Sequence, residues 1–240
     1  MRRTRLYYPH PLCPQQTVVL EKAHSHYVLN VLRAKLNQAI VLFNGQGQEF
    51  HGHVASRHKR KVVIQLERLE TPCVEPPCDI TLLQCLSRND RMDLTLQKAT
   101  ELGVKHIIPI LSERSLAYSS VQHKQSHWEK ILISACEQCG RNILPTLAPP
   151  QQLAEAITLP FVHRLFLDTH STQKFTPSPT PQGNIAVLIG PEGGLTEPER
   201  LHVAAHQFQA IQLGPRVLRT ETAAITALSI VLYVWGDFGR

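Results

Sequence analysis

Hydrophobic positions change rhythm near residue 70. Before it, apolar residues come in short runs and alternations, and residues 17–21, 39–44, 49–56 and 61–67 read as strands. Asn44-Gly45-Gln46-Gly47 is a turn signal between two of them, since these residue types tolerate positive φ. One helix is expected over residues 24–33, where Tyr27, Val28, Val31 and Leu32 recur at helical spacing. Many short strands around one helix predict a small β-barrel.

Pro72, Pro76 and Pro77 then break both periodicities, which places a linker over residues 71–77. Beyond it, strands of the fully buried kind alternate with helices. Strands are expected at 79–86, 104–111, 164–168, 185–189 and 209–213, and helices at 90–102, 128–138 and 220–235. Gly103 supplies a helix stop, and Thr196 with Glu199 three residues on has capping-box spacing for one more helix. Such alternation predicts an α/β fold whose parallel sheet is covered on both faces. Residues 171–182, rich in proline and serine, read as an exposed loop. Domains are therefore expected at 1–72 and 78–240.

Composition narrows the class of protein. The 240 residues are 42% hydrophobic and 18% charged, against about 25% charged for an ordinary soluble domain. That excludes a disordered chain, a coiled coil and a polyelectrolyte. Lys and Arg exceed Asp and Glu by 25 − 19 = 6, and 13 His add charge below neutral pH. A basic chain this poor in charge suggests a polyanionic partner, nucleic acid before membrane. The longest apolar run, 223–235, contains Thr226 and Ser229 and is too short to span a bilayer. No export signal is evident at the start, so a reducing cytoplasm is expected, with the six cysteines reduced.

Chemistry is concentrated where strands hand over to helices. Gly190, Pro191, Glu192, Gly193 and Gly194 follow the buried strand 185–189 and lead into the helix opened by Thr196. In open α/β sheets ligands sit beyond the carboxyl ends of strands, where a turn without side chains lets backbone approach them. No Lys-Ser/Thr follows the glycines and the dinucleotide fingerprint is absent, which removes two phosphate-binding readings. A second segment, Gln212 through Ala223, repeats strand end, glycine turn and helix start, now with Arg216, Arg219 and Glu221. Each segment by itself also fits a tight turn with solvated charges, and two together favour a pocket.

These residues resemble a known family. Gly190-Pro191-Glu192-Gly193-Gly194, Leu213-Gly214, Leu218-Arg219 and Thr220-Glu221-Thr222-Ala223 are similar to the cofactor motifs of the bacterial 16S ribosomal RNA (uracil-N3)-methyltransferases of the SPOUT superfamily. The likeness extends to residues 98–104, Ser112-Glu113-Arg114-Ser115, Glu137-Gln138, Arg141 and Leu144-Pro145. At the start, His26, Val31-Leu32-Arg33 and the Asn44 turn match the family's PUA-like barrel. The resemblance covers nearly the whole chain, with little signal over 148–181.

It implies a small N-terminal PUA-like RNA-binding barrel followed by a SPOUT parallel α/β domain with a deep C-terminal trefoil knot, a topology that general folding rules would not suggest. It implies S-adenosylmethionine as cofactor, held by Leu167, Gly190, Pro191, Glu192, Gly193, Gly194, Leu213, Gly214, Arg216, Leu218 and Arg219. The partners it implies are 16S ribosomal RNA of the small subunit and a second copy of the chain, with no membrane and no metal. Moving a methyl group to a uracil ring nitrogen requires removal of the imide proton and stabilisation of the resulting anion. Arg219 is the candidate for the anion, and Glu221 for orienting Arg219 or taking the proton. For RNA, Arg2, Arg3 and Arg5 beside Tyr7 and Tyr8 combine charge with stacking faces, and a basic first strand with half-buried tyrosines fits equally. Arg33, Arg141 and the turn 57–61 are further phosphate candidates; Arg141 also fits a helix-end tie. Cys136 and Cys139 have half a zinc spacing without a second such pair, and are expected to be filler. Two alternatives stay open: a SPOUT methylase of ribose oxygen or transfer RNA, and a non-catalytic RNA-binding protein.

Overall fold

The structure, a computed structural model, describes residues 4–58, 61–117, 123–175 and 183–239. The chain divides into two units, Met1–Glu75 with Cys136–Leu144, and Pro76–Ala135 with Pro145–Arg240.

In the first unit β1 (Thr4–Tyr7), β2 (Thr17–Val19), β3 (Ala39–Phe43), β4 (Glu49–His58) and β5 (Lys61–Glu70) form one sheet in the order β1-β3-β4-β5-β2. Only β1 and β3 pair parallel; the rest are antiparallel. The helix expected at 24–33 is divided. An α-helical part, α1 (Lys22–His26), passes into a wider π-helical turn, Tyr27–Val31, and Arg33 leaves it at φ 48°. Leu6, Val18, Val28, Ile40, Leu42, Phe50, Ile64 and Leu66 fill the core, each contributing about 1.5–3 kcal/mol by leaving water.

Strand β3 is buried on both sides from Ile40 to Phe43, although antiparallel sheets commonly keep one face wet. The segment Cys136–Leu144, far away in sequence, groups with this unit and bonds to β1 and to the turn that follows β3. The Glu137 carboxylate accepts the Tyr7 N–H at 3.0 Å, Arg5 donates to the Arg141 carbonyl at 3.0 Å, and the Gly47 N–H donates to the Asn142 carbonyl at 3.0 Å.

The second unit is built on β6 (Asp79–Cys85), β7 (His106–Leu111), β8 (Thr146–Leu147), β9 (Gln151–Gln152), β10 (His163–Leu167), β11 (Asn184–Ile189) and β12 (Gln209–Ile211). These run in the order β12-β10-β11-β6-β7-β8, with β9 also on β7, and every pairing is parallel. Its helices are α2 (Asn89–Glu101), most of α3 (Gln125–Cys139), α4 (Leu153–Ala156), α5 (Glu197–Ala205) and α6 (Thr220–Trp235). The apolar run of β11 is explained by cover on both faces. Ile185, Val187 and Ile189 join Leu96, Leu228 and Trp235 in one core, and Ala186 and Leu188 join Leu153, Val203 and Phe208 in the other. The elements β8, β9 and α4 escape sequence reading because two to four residues are too few to show a period.

Sheet order decides where a ligand is held. β11 lies between β10 and β6, and β12 pairs beyond β10 at the sheet edge. The carboxyl ends of β10, β11 and β12 are therefore neighbours, and the loops leaving them gather on one rim of the sheet.

Candidate active site

On that rim the chain leaves β11 at Ile189, turns through residues 190–195 and enters α5. Gly194 holds φ 67°, a left-handed conformation that side chains resist, and its N–H closes the turn on the Pro191 carbonyl at 2.9 Å. α5 begins as its sequence predicts: the Glu199 carboxylate accepts the Thr196 N–H at 2.9 Å, and Pro198 occupies the first turn. The second oxygen of Glu199 accepts the Glu113 N–H at 2.8 Å, which fastens the loop after β7 to the same helix start.

The second loop, 212–219, leaves β12 and enters α6, with Gly214 at φ 88°. Thr220, the first residue of α6, connects the two loops. Its hydroxyl donates to the Gly190 carbonyl at 3.0 Å and accepts from the Gln84 side-chain amide at 3.0 Å. Gln84 is 0% exposed at the end of β6, so the connection is anchored inside the sheet.

Between the loops lies a cavity of about 430 Å³, within the usual range for a small-molecule site. Leu167, Gly190, Pro191, Glu192, Gly193, Gly194, Leu213, Gly214, Arg216, Leu218 and Arg219 all line it. Its apolar wall adds Ile189, Leu195, Ile211 and Ala223.

Charge on the wall is arranged in two ways. Arg91 of α2 pairs with Glu192 at 2.7 Å, and Arg200 of α5 pairs with Asp168 at 2.7 Å. Arg114, Arg216 and Arg219 line the same cavity and have no carboxylate partner among the described residues. Arg114 donates to the Gly193 carbonyl at 3.0 Å.

Glu221 stands outside the lining. It is 9% exposed, and its Oε2 has no hydrogen-bond partner among the described residues. Sequence reasoning missed Gln84, Arg91, Asp168 and Arg200. Gln84 was discoverable as an amide inside an apolar run; the two ion pairs join distant residues and left no local signal.

The expected RNA contacts fare differently. Arg141 is 3% exposed and forks onto Glu75, with Nε to Oε1 at 2.9 Å and Nη2 to Oε2 at 2.6 Å. Arg5 is paired with Glu49 at 2.7 Å and lies 5.0 Å over the Phe43 ring. Both are removed from the set of phosphate contacts: burial with a matched carboxylate makes them internal ties. Tyr7 is likewise 5.7 Å from the Phe43 ring, and Tyr8 packs against the core of its unit. Arg33 is exposed. Arg2, Arg3 and part of the 57–61 turn lie outside the described residues. Cys136 is buried, and loss of solvent pushes its thiol up to about 12, so it stays protonated and a poor metal ligand at neutral pH. No group of three or more metal-ligating side chains occurs among the described residues.

Comparison with known proteins decides the family. A family model for an RNA methyltransferase domain matches residues 74–232, and one for an RNA methyltransferase PUA domain matches residues 20–67. The ribosomal RNA small subunit methyltransferase E of Buchnera aphidicola subsp. Schizaphis graminum is 33% identical over 98% of both chains. The chain belongs to the ribosomal RNA small subunit methyltransferase E family. The member from Neisseria gonorrhoeae, solved bound to S-adenosylmethionine, is 38% identical with a TM-score of 0.91, covering 99% of this chain and 100% of that one. A Legionella pneumophila methyltransferase solved with the same bound cofactor is 35% identical with a TM-score of 0.93, over 99% of this chain and 100% of that one. Membership in the methyltransferase E family thus rests on both units of the chain. Among the described residues no helix is long and apolar enough to cross a membrane.

Proposed function

We propose that this member of the methyltransferase E family transfers a methyl group from S-adenosylmethionine to N3 of a uridine in 16S ribosomal RNA. The observation that carries the reading is the cavity between the loops 190–195 and 212–219, lined by both glycine turns and all the family-matching cofactor residues. Its chemistry suits the cofactor. A Cβ at Gly194 would meet nothing within 4 Å, so the turn leaves open space beside its backbone. Leu167, Ile189, Leu213, Leu218 and Ala223 offer an apolar slot for a purine, and Arg216 a cation for the amino-acid carboxylate. When bound, the cofactor supplies an electrophilic methyl carbon, whose bond to sulfur breaks as its bond to N3 forms.

The chain's own residues meet the two other demands of the reaction. Uracil N3 carries a proton at neutral pH, and its removal puts negative charge on the flanking carbonyl oxygens. Arg219 lines the cavity, is exposed and has no carboxylate partner among the described residues, so its guanidinium is available to stabilise that charge. Glu221, beside Thr220 at the start of α6, is the candidate to receive the proton: its Oε2 has no partner among the described residues, and no ion pair joins it to Arg219. The clamp from Gln84 through Thr220 to Gly190 fixes both loops before substrate arrives, which suits a reaction limited by in-line positioning.

The same reading makes the first sheet a PUA-like RNA-binding barrel and the return of the chain from β12 to α6 the threading of a trefoil knot. In this reading residues 1–72 are the RNA-binding domain and 78–240 the methyltransferase domain, less the segment Cys136–Leu144 that groups with the first unit, and the protein acts in the cytoplasm as a homodimer. Arg33, with Arg2 and Arg3, contacts RNA in this reading. Incubation with methyl-labelled S-adenosylmethionine and 16S ribosomal RNA, followed by digestion to nucleosides, tests it. Label in 3-methyluridine is expected; label in a ribose-methylated nucleoside, or none, overturns it.

A further inference from the structure

Five arginines line the cavity, Arg91, Arg114, Arg200, Arg216 and Arg219, against only two carboxylates, Asp168 and Glu192. Both carboxylates are engaged, one by Arg200 and the other by Arg91. Three guanidinium groups are left without an anion among the described residues. S-adenosylmethionine brings one carboxylate and two positive groups, its ammonium and its sulfonium, so it matches one of the three and adds two charges of the same sign. The ionised uracil matches a second. Arg114 remains, and like charges crowded around one cavity repel unless an anion joins them.

Its setting is specific. Arg114 follows β7 in the loop fastened to α5 through Glu113 and Glu199. Its stem packs on the cofactor turn: a Cβ built on Gly193 would meet Arg114 Cδ at 3.4 Å. One Nη1 hydrogen bond to the Gly193 carbonyl holds the head at 3.0 Å, and the remaining N–H groups have no partner among the described residues. A guanidinium fixed by a neutral carbonyl keeps its full charge, and an anion that meets it loses little in ordering the side chain. Arg91 of α2, which reaches the same 190–195 turn, is the contrast: Glu192 already cancels its charge.

We infer that Arg114 binds a backbone phosphate of the RNA next to the uridine being methylated. This rests on the proposed 16S ribosomal RNA reading and adds to it a residue that positions the substrate from the wall of the cofactor cavity. The phosphate contact anchors the strand while the same side chain braces the Gly193 turn.

The test is the salt dependence of binding to 16S ribosomal RNA for the full chain and for Arg114→Gln and Arg114→Lys, with S-adenosylmethionine affinity measured alongside. One phosphate contact to a single strand contributes about 0.7 to the slope of log K against log salt. Arg114→Gln is expected to lower the slope by about that amount and Arg114→Lys to keep it. An unchanged slope in Arg114→Gln overturns the inference, even where cofactor affinity drops, because the side chain then only braces the turn. An equal loss of slope in Arg114→Lys also overturns it, since loop distortion and not charge would be responsible. A wild-type chain that binds this RNA but transfers no methyl to it defeats the parent reading, and that result is separate from the slope.

Discussion

The arginines of the two units have opposite fates. In the first unit Arg5 and Arg141 are sunk among their partners, Glu49 and Glu75, and serve to hold the segment Cys136–Leu144 in place. In the cavity of the second unit Arg114, Arg216 and Arg219 stand without carboxylates. Arg141 and Arg114 both match family positions in the sequence, so a matched arginine does not reveal its use. Pairing and burial do: a matched and desolvated guanidinium is structure, and an unmatched one on a cavity wall is available to a ligand.

Removing a tie from the first unit is expected to have the largest effect. Arg141→Ala leaves the Glu75 carboxylate buried without its partner, and such losses cost about 3–5 kcal/mol. Chemical denaturation should register that loss, and cofactor titration of the folded protein should not. If stability is unaffected, the buried pair is not the tie described here. Arg219→Ala follows. Loss of one preorganised stabiliser of developing charge lowers kcat by about a hundredfold to a thousandfold, with RNA affinity changed far less. Comparable losses in turnover and RNA binding would assign Arg219 to the phosphate backbone instead. Gly194→Val forces a β-branched residue to φ 67°, at roughly 1–2 kcal/mol, and should weaken S-adenosylmethionine about tenfold or more while the first unit keeps its stability. Normal cofactor affinity would disconnect this turn from the ligand.

The smallest effect concerns Glu137. Burial pushes its carboxyl above the usual carboxylate range, and the Tyr7 N–H and Arg5 only partly oppose this. A raised folded-state value means the folded chain holds the proton more tightly than the unfolded chain. The ionised form therefore costs stability above the ordinary Glu value, and the cost fades as pH falls through it. Glu137→Gln, whose amide oxygen still accepts the Tyr7 N–H, should gain stability relative to wild type at pH 7 and not at pH 4. A uniform difference at both pH values would point to packing.

Much of the fold was legible because its periods are long and its punctuation strong. α6 runs from Thr220 to Trp235 as its pattern predicts, and the Thr196–Glu199 spacing did open a helix. What escaped was either too short or too distant. The strands β8 and β9 have two residues each. The assignment of Cys136–Leu144 to the first unit depends on partners such as Tyr7 and Glu75 that are more than 60 positions away. The candidate site follows the same division. Its glycine turns announce themselves locally, whereas the Arg91–Glu192 and Arg200–Asp168 pairs exist only once the sheet order has brought their strands and helices to one rim.

The most direct measurement is backbone hydrogen exchange with and without S-adenosylmethionine. Slowed exchange confined mainly to residues 190–195 and 212–219 is the result this account predicts. Cofactor binding that leaves the exchange of both loops unchanged would contradict it.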